Sequence, residues 1–142
     1  MNRRALAPAA LACTILVLAV SERTSAQDAS LVAQGRTTFH EKCEPCHGSG
    51  PGNDGAAALP GTAALALKYK GKISPLLEQR DDLKAEVLKF FLRKGTGSMP
   101  MFRKTEVSDY EITVIAAYFV QSAKKNPYFP EPARQKNADE SR

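Results

Sequence analysis

The sequence predicts an all-α fold. One stretch, 108–125, carries a complete helix signature from cap to stop. Two further stretches repeat apolar residues at helical spacing, and neither a convincing strand nor an internal repeat appears anywhere. The length of 142 residues suits one domain. A hydrophobic content of 43% with 25% charged residues excludes full disorder and collagen-like order. The net charge of +5 is mild, far from the basic stripe that would point to nucleic acid, so no nucleic-acid partner is expected. Three Cys are too few for a disulfide scaffold, and two His, His40 and His47, cannot build a three-histidine site.

Residues 1–26 are expected to be a targeting segment. Asn2-Arg3-Arg4 is basic, Ala5 to Val20 is apolar, and Ser21 to Ala26 is small and polar, the order of a secretory signal peptide cleaved after Ala26. The competing reading is a retained membrane anchor, for which this apolar run is short of the span of about 20 residues. A lipoprotein reading would use Cys13, but the apolar run continues past it. The remaining chain divides into a domain over 27–125 and a Pro-containing, partly mobile tail over 126–142. It keeps two cysteines, Cys43 and Cys46, and no stable membrane span is expected in it.

The first helix is expected to be capped by Asp28 or Ser30 and to run through Leu31, Val32 and Phe39 toward Cys43. Gly35 inside it costs about 1 kcal/mol of helix propensity. It shares a face with Phe39 and lets another backbone approach. His47 to Gly55 is Gly-rich loop, and Ala56 to Tyr69 is ambiguous between helix and alternation. Ser74-Pro75 reads as a cap opening a short turn through Leu76-Leu77. A third helix is expected from Asp81-Asp82 to Gly95, packing Leu83, Val87, Phe90 and Phe91. A non-helical stretch from Thr96 to Thr105 follows, holding Met99-Pro100-Met101-Phe102. The last helix opens with the capping box Ser108-Asp109-Tyr110-Glu111 and carries Ile112, Ile115, Ala116 and Phe119 as one stripe. It ends at Lys124-Lys125 before Pro127. Phe90, Phe91, Tyr110 and Tyr118 are expected in the core.

The chemistry lies in Cys43-Glu44-Pro45-Cys46-His47. C-x-x-C-H is the c-type haem attachment signature. One helical turn sets both thiols under the two vinyl groups of a porphyrin for thioether bonds, and the adjacent imidazole reaches the iron from the same side. A thioredoxin-like pair needs a βαβ context that is not visible. Zinc wants four ligands, and Cys43, Cys46, His47 and His40 fit the usual spacings poorly. A disulfide across two residues would enclose almost no loop. His47 supplies one axial position. For the other, Met99 stands in a Gly-flanked loop where Pro100 biases it to extended backbone. Its thioether suits haem iron, and a His/Met pair raises the reduction potential. Met101 is the second candidate, and His40 is too near His47 in sequence to cross the ring.

From Leu31 to Ser122 the chain resembles a class I bacterial periplasmic monohaem cytochrome c. The shared order is Gly35 and Phe39 on the first helix, the C-x-x-C-H turn, a Gly-rich loop, Met99-Pro100 with Phe102, and Tyr118-Phe119 on the last helix. The resemblance implies three to five helices wrapped around one covalently bound haem c, with Gly35 and Phe39 where the first and last helices cross. It also implies a Pro whose carbonyl accepts a hydrogen bond from the axial His ring, with Pro60 as the position on offer. The function it implies is electron transfer between Fe(III) and Fe(II) in the periplasm, not enzymatic turnover. Redox proteins, a dehydrogenase or an oxidase or reductase, would be the partners. Alternatives are a dedicated cytochrome subunit of a flavoprotein or quinoprotein dehydrogenase, and a five-coordinate haem enzyme or gas sensor. Lys68, Lys70 and Lys72 are candidates for partner docking, and Arg80 and Arg103-Lys104 for pairing with haem propionates.

Overall fold

The computed structural model describes residues 9–128, with side chains from Ala26 onward. The basic start of the expected signal segment and the tail beyond Tyr128 lie outside the described residues. The chain divides after Ser30 into two units. Within the first, the described residues are helical throughout. The second unit, from Leu31, holds the rest.

Among the described residues five α-helices follow one another: α1 (Ala9–Lys42), α2 (Glu44–His47), α3 (Pro60–Tyr69), α4 (Ala85–Lys94) and α5 (Asp109–Lys125), with a 3-10 turn at Leu77–Gln79 between α3 and α4. No strand forms among the described residues; one isolated bridge pairs Thr96 with Met99. The fold class is all-α, as the sequence predicts. None of the helices among the described residues is long and apolar enough to cross a membrane.

Helix α1 has no start at Asp28 or Ser30. The segment from Ala9 to Gln34 contains neither Pro nor Gly, so nothing breaks the helix there. The ambiguous 56–69 stretch resolves as α3, with Pro60 in its first turn and Lys70 closing it in the left-handed region at φ 48°. Ser74 does not open a helix. Its buried hydroxyl accepts from the Leu76 N–H (3.1 Å) and donates to the Gln79 side chain (2.8 Å), and the 3-10 turn starts after it. The third predicted helix starts at Ala85 rather than at Asp81-Asp82. The Asp82 carboxylate is taken by the Arg80 guanidinium, at 2.9 and 2.6 Å, and so does not cap. Its far end agrees with the expectation: Gly95, at φ 69°, stops α4 after Arg93-Lys94.

The face α4 turns inward also differs from the expectation. Leu88 and Leu92 are buried with Leu83, whereas Val87 and Phe90 point to solvent, Phe90 at 56% exposure. Tyr110 is likewise exposed and donates to Gln34 (2.9 Å), while Tyr118 is in the core as expected. The α5 stripe of Ile112, Ile115, Ala116 and Phe119 is buried in full.

The core is closed by the crossing of α1 and α5. Phe39 is completely buried, with its ring edge-on to Phe119 at 5.2 Å and tilted against Tyr118 at 5.8 Å. Gly35, one turn earlier, allows this approach: a Cβ there would stand 1.9 Å from the Val114 carbonyl oxygen and 2.9 Å from the Tyr118 Cβ. The Lys42 ammonium ties the end of α1 to α5, donating to the Glu111 carboxylate and the Glu106 carbonyl, each at 2.6 Å.

At the N-terminus of α5 the Ser108 hydroxyl accepts from the Glu111 N–H (3.1 Å), and the Glu111 carboxylate accepts from the Ser108 N–H (2.7 Å). Ser108→Ala removes one half of this reciprocal cap and is expected to cost about 1 kcal/mol, read as a lowered denaturation midpoint with the spectrum unchanged. Lys42 and the Ser108 cap also lower the Glu111 carboxyl from its ordinary 4.5 to about 2. Arg93, Lys89 and Lys104 push Asp109 down in the same sense. For carboxylates lowered in the folded state, the linked stability is present above their ordinary range and lost as pH falls through the folded value. Acid unfolding is therefore expected to gather as pH drops from 4.5 toward about 2. A set of thermal melts between neutral pH and pH 2 checks it, and a midpoint unchanged over that window would contradict the two ion networks.

Candidate functional site

The site is assembled by three short pieces of backbone. The first is the C-x-x-C-H turn. The His47 N–H donates to the Cys43 carbonyl at 2.9 Å, and that of Cys46 to the same oxygen at 3.1 Å, so Cys43, Cys46 and His47 ride on one tight helical turn. Pro45 falls in the first turn of α2, where its missing N–H costs nothing. Cys43 packs against the core cluster, whereas Cys46 is exposed. The two are not joined to each other.

Burial pushes the Cys43 thiol up to about 11, partly countered by Lys42. A redox-active dithiol needs its nucleophilic sulfur shifted the other way. The helical surroundings also lack the βαβ unit that reading requires. Zinc fares no better, because no group of three or more His, Cys, Asp or Glu converges among the described residues.

The second piece is the start of α3, which sits on the turn. The Thr62 hydroxyl, buried, donates to the Gly48 carbonyl at 2.8 Å. Gly61 lies against the His47 ring so closely that a Cβ would come 2.6 Å from Cε1 and 2.7 Å from both Nδ1 and the Cys46 carbonyl oxygen. The His47 Nδ1 is buried, with no hydrogen-bond partner among the described residues, and burial lowers the pKa of the ring, which favours the neutral imidazole with its lone pair. Pro60 begins α3 next to Gly61, but it is not a partner of Nδ1 here.

The third piece is the Met99 loop. Thr96 and Met99 exchange N–H to carbonyl bonds at 3.1 and 3.0 Å, closing a tight turn over Gly97-Ser98. Met99 is half-buried and packs against the same core cluster as Cys43, while Met101 is 63% exposed. The loop is fastened to α4 by the Phe102 N–H on the Leu92 carbonyl (2.7 Å). It is fastened further by Arg93, whose guanidinium donates to the carbonyls of Phe102 (3.0 Å) and Val107 (2.8 Å) and to the Asp109 carboxylate (2.8 Å). Sequence reasoning gives Arg93 no role beyond its place in the third helix before Gly95. Its three acceptors are brought together by tertiary structure, and no local spacing signals them.

The other singled-out residues are engaged elsewhere. The His40 ring contacts the Glu44 carboxylate through Nδ1 and accepts from the Arg36 Nε through Nε2 (3.3 Å), so both its nitrogens are in use. Arg80 is buried, paired with Asp82 and stacked 5.1 Å from the Tyr69 ring centroid. Arg103 faces Glu106 at 3.6 Å and Lys104 faces Asp109 at 3.3 Å. The Lys68 ammonium lies over the rings of Tyr69 and Phe91, and Lys70 and Lys72 are exposed.

Two thiols and a neutral imidazole on one turn, with a thioether-bearing loop on the same buried cluster, form a donor set that fits covalent haem. An all-α domain built around such a set defines a c-type cytochrome domain. The family described as cytochrome c oxidase, cbb3-type, subunit III matches residues 30–119. The chain belongs to that family, with covalently bound haem c as its cofactor and haem-based electron transfer as its chemistry. No curated protein and no solved structure matches the chain.

Proposed function

We propose that the chain is an exported, periplasmic electron carrier whose haem is joined through Cys43 and Cys46 and ligated by His47 and Met99. The observation that carries this reading is the packing of Cys43 and Met99, distant in sequence, on one core cluster. When bound, haem c supplies a one-electron Fe(III)/Fe(II) couple.

The residues do the rest. Cys43 and Cys46 fix the ring in place, and the neutral His47 offers a lone pair from the turn that carries both sulfurs. Met99, on a loop fastened by Leu92 and Arg93, offers a soft thioether that stabilises the reduced form. With His47 and Met99 both holding the iron, no position would be left for a substrate, which supports a carrier rather than an enzyme or a gas sensor. Met101, exposed to solvent, is set aside as the ligand.

The partners in this reading are redox proteins, an oxidase or a dehydrogenase. The family's description speaks of an oxidase subunit. Lys70 and Lys72 offer exposed positive charge for steering an acidic partner. Residues 1–26 act as the export signal.

The test is made on protein purified from the periplasmic fraction. Its intact mass should equal the chain from Gln27 plus one haem. Its spectrum should cycle reversibly with one electron, and the ferrous form should not take up carbon monoxide readily. A colourless product, or tight carbon monoxide binding, would overturn the carrier reading.

A further inference from the structure

Between the end of α4 and the start of α5 the chain carries Met99 through an irregular segment. One side chain joins the two ends of the part that follows Met99. From the last turn of α4, the Arg93 guanidinium donates to the Phe102 carbonyl (3.0 Å), three residues after Met99. It also donates to the Val107 carbonyl (2.8 Å) and to the Asp109 carboxylate at the start of α5 (2.8 Å). The adjacent carbonyl, that of Glu106, is taken from the other side by the Lys42 ammonium (2.6 Å), which also holds Glu111 (2.6 Å). Lys42 directly precedes Cys43. Segment 102–111 is thus gripped at once from the helix that leads into the thiols and from the helix that leads into the thioether.

We infer that Arg93 is a positioning residue for the axial sulfur. By holding the Phe102 and Val107 carbonyls it sets how often the Met99 thioether leaves the iron, and so how firmly the sixth position is closed to other ligands. This inference rests on the assignment of Met99 as a ligand. For the thioether to swing away, the backbone beyond Pro100 must move, and that movement breaks the bonds to Arg93. Hydrogen bonds from a charged donor are about twice as strong as neutral ones, and losing one shifts an open–closed equilibrium by roughly tenfold or more. The thioether favours the reduced metal, so in the ferric form the sulfur is bound least firmly and the hold of the protein counts most.

The experiment follows imidazole displacing Met99 in ferric holoproteins of wild type, Arg93→Gln, Arg93→Lys and Lys89→Ala, read as decay of the red charge-transfer band. At saturating imidazole the rate is that at which the sulfur leaves. Lys89 bonds the Asp109 carboxylate (3.0 Å), so its loss weakens the same ion network and leaves both carbonyl bonds in place. The expected result is release about tenfold faster or more in Arg93→Gln, a smaller acceleration in Arg93→Lys, and an unchanged rate in Lys89→Ala. Amide exchange at Phe102 should quicken in Arg93→Gln while that of Ile115 and Phe119 in α5 stays as in wild type. Equal release in Arg93→Gln and wild type, or the same acceleration in Lys89→Ala, would overturn the inference. If Arg93→Gln fails to take up haem, Arg93→Lys decides. A single ammonium lacks the planar fork that serves both carbonyls, so an unaltered rate there counts against the role of Arg93. Wild-type protein without the band would remove Met99 as ligand and this inference with it. A wild type that shows the band, with Arg93 variants no faster, removes the inference alone.

Discussion

Met99→Ala holoprotein is expected to keep its covalent haem and to lose the red charge-transfer band of the ferric form. Its potential should fall well below that of wild type, and its ferrous form should take up carbon monoxide. Axial ligands set haem potentials over roughly 0.8 V, and exchanging a thioether for water or an adventitious nitrogen base moves through a sizeable part of that range. The thioether favours the reduced metal, so its loss lowers the potential and does not raise it. Met101→Ala serves as the paired control, because its side chain is largely in solvent and Met99 alone packs on the core. A mutant pair in which Met101→Ala carries the spectral change would reverse the ligand assignment. Potentiometric titration and carbon monoxide difference spectra on both variants decide between them.

The second large effect concerns the crossing of α1 and α5. In an exposed helix, Gly→Ala stabilises by about 1 kcal/mol. At Gly35 the sign is expected to reverse. The new methyl would meet the Val114 carbonyl oxygen at 1.9 Å, so the helices must part and the Phe39 contacts with Tyr118 and Phe119 stretch with them. Overpacking of this kind costs about 1–3 kcal/mol or more. Phe39→Ala empties the centre of the same contact, with an expected cost of about 3–5 kcal/mol. Against a total stability of roughly 5–15 kcal/mol, either change is large. Denaturant titration of the holoproteins gives both numbers. A Gly35→Ala protein more stable than wild type would mean that the crossing is looser than the structure has it.

What could be read in advance follows the range of the interaction. The capping box of α5, its buried stripe and the C-x-x-C-H turn depend on neighbours within a few residues, and all appear in the structure where the sequence puts them. The close approach at Gly35 was legible because a glycine inside a good helix asks for a reason. The inward face of α4 was not. Phe90 is the larger apolar residue, yet Leu88 and Leu92 are the ones buried in the core cluster that α5 shares, and only the tertiary packing decides it. Asp81-Asp82 reads as a helix start, yet the Asp82 carboxylate is held by Arg80 and the helix opens only at Ala85. Arg93 and Gly61 went unnoticed because what they touch, the carbonyls of Phe102 and Val107 and the ring of His47, comes together only through the tertiary fold.

The contact between Gly35 and Val114 joins the two ends of the domain. A chain made from its N-terminus cannot shut its interior until the final helix has been synthesised and released, and long closures of this sort come late in folding. Throughout that interval the paired sulfurs and the imidazole beside them lie on an open strand of polypeptide. The order in which the chain emerges, N-terminus first, would thus leave Cys43, Cys46 and His47 reachable until Val114 docks against Gly35.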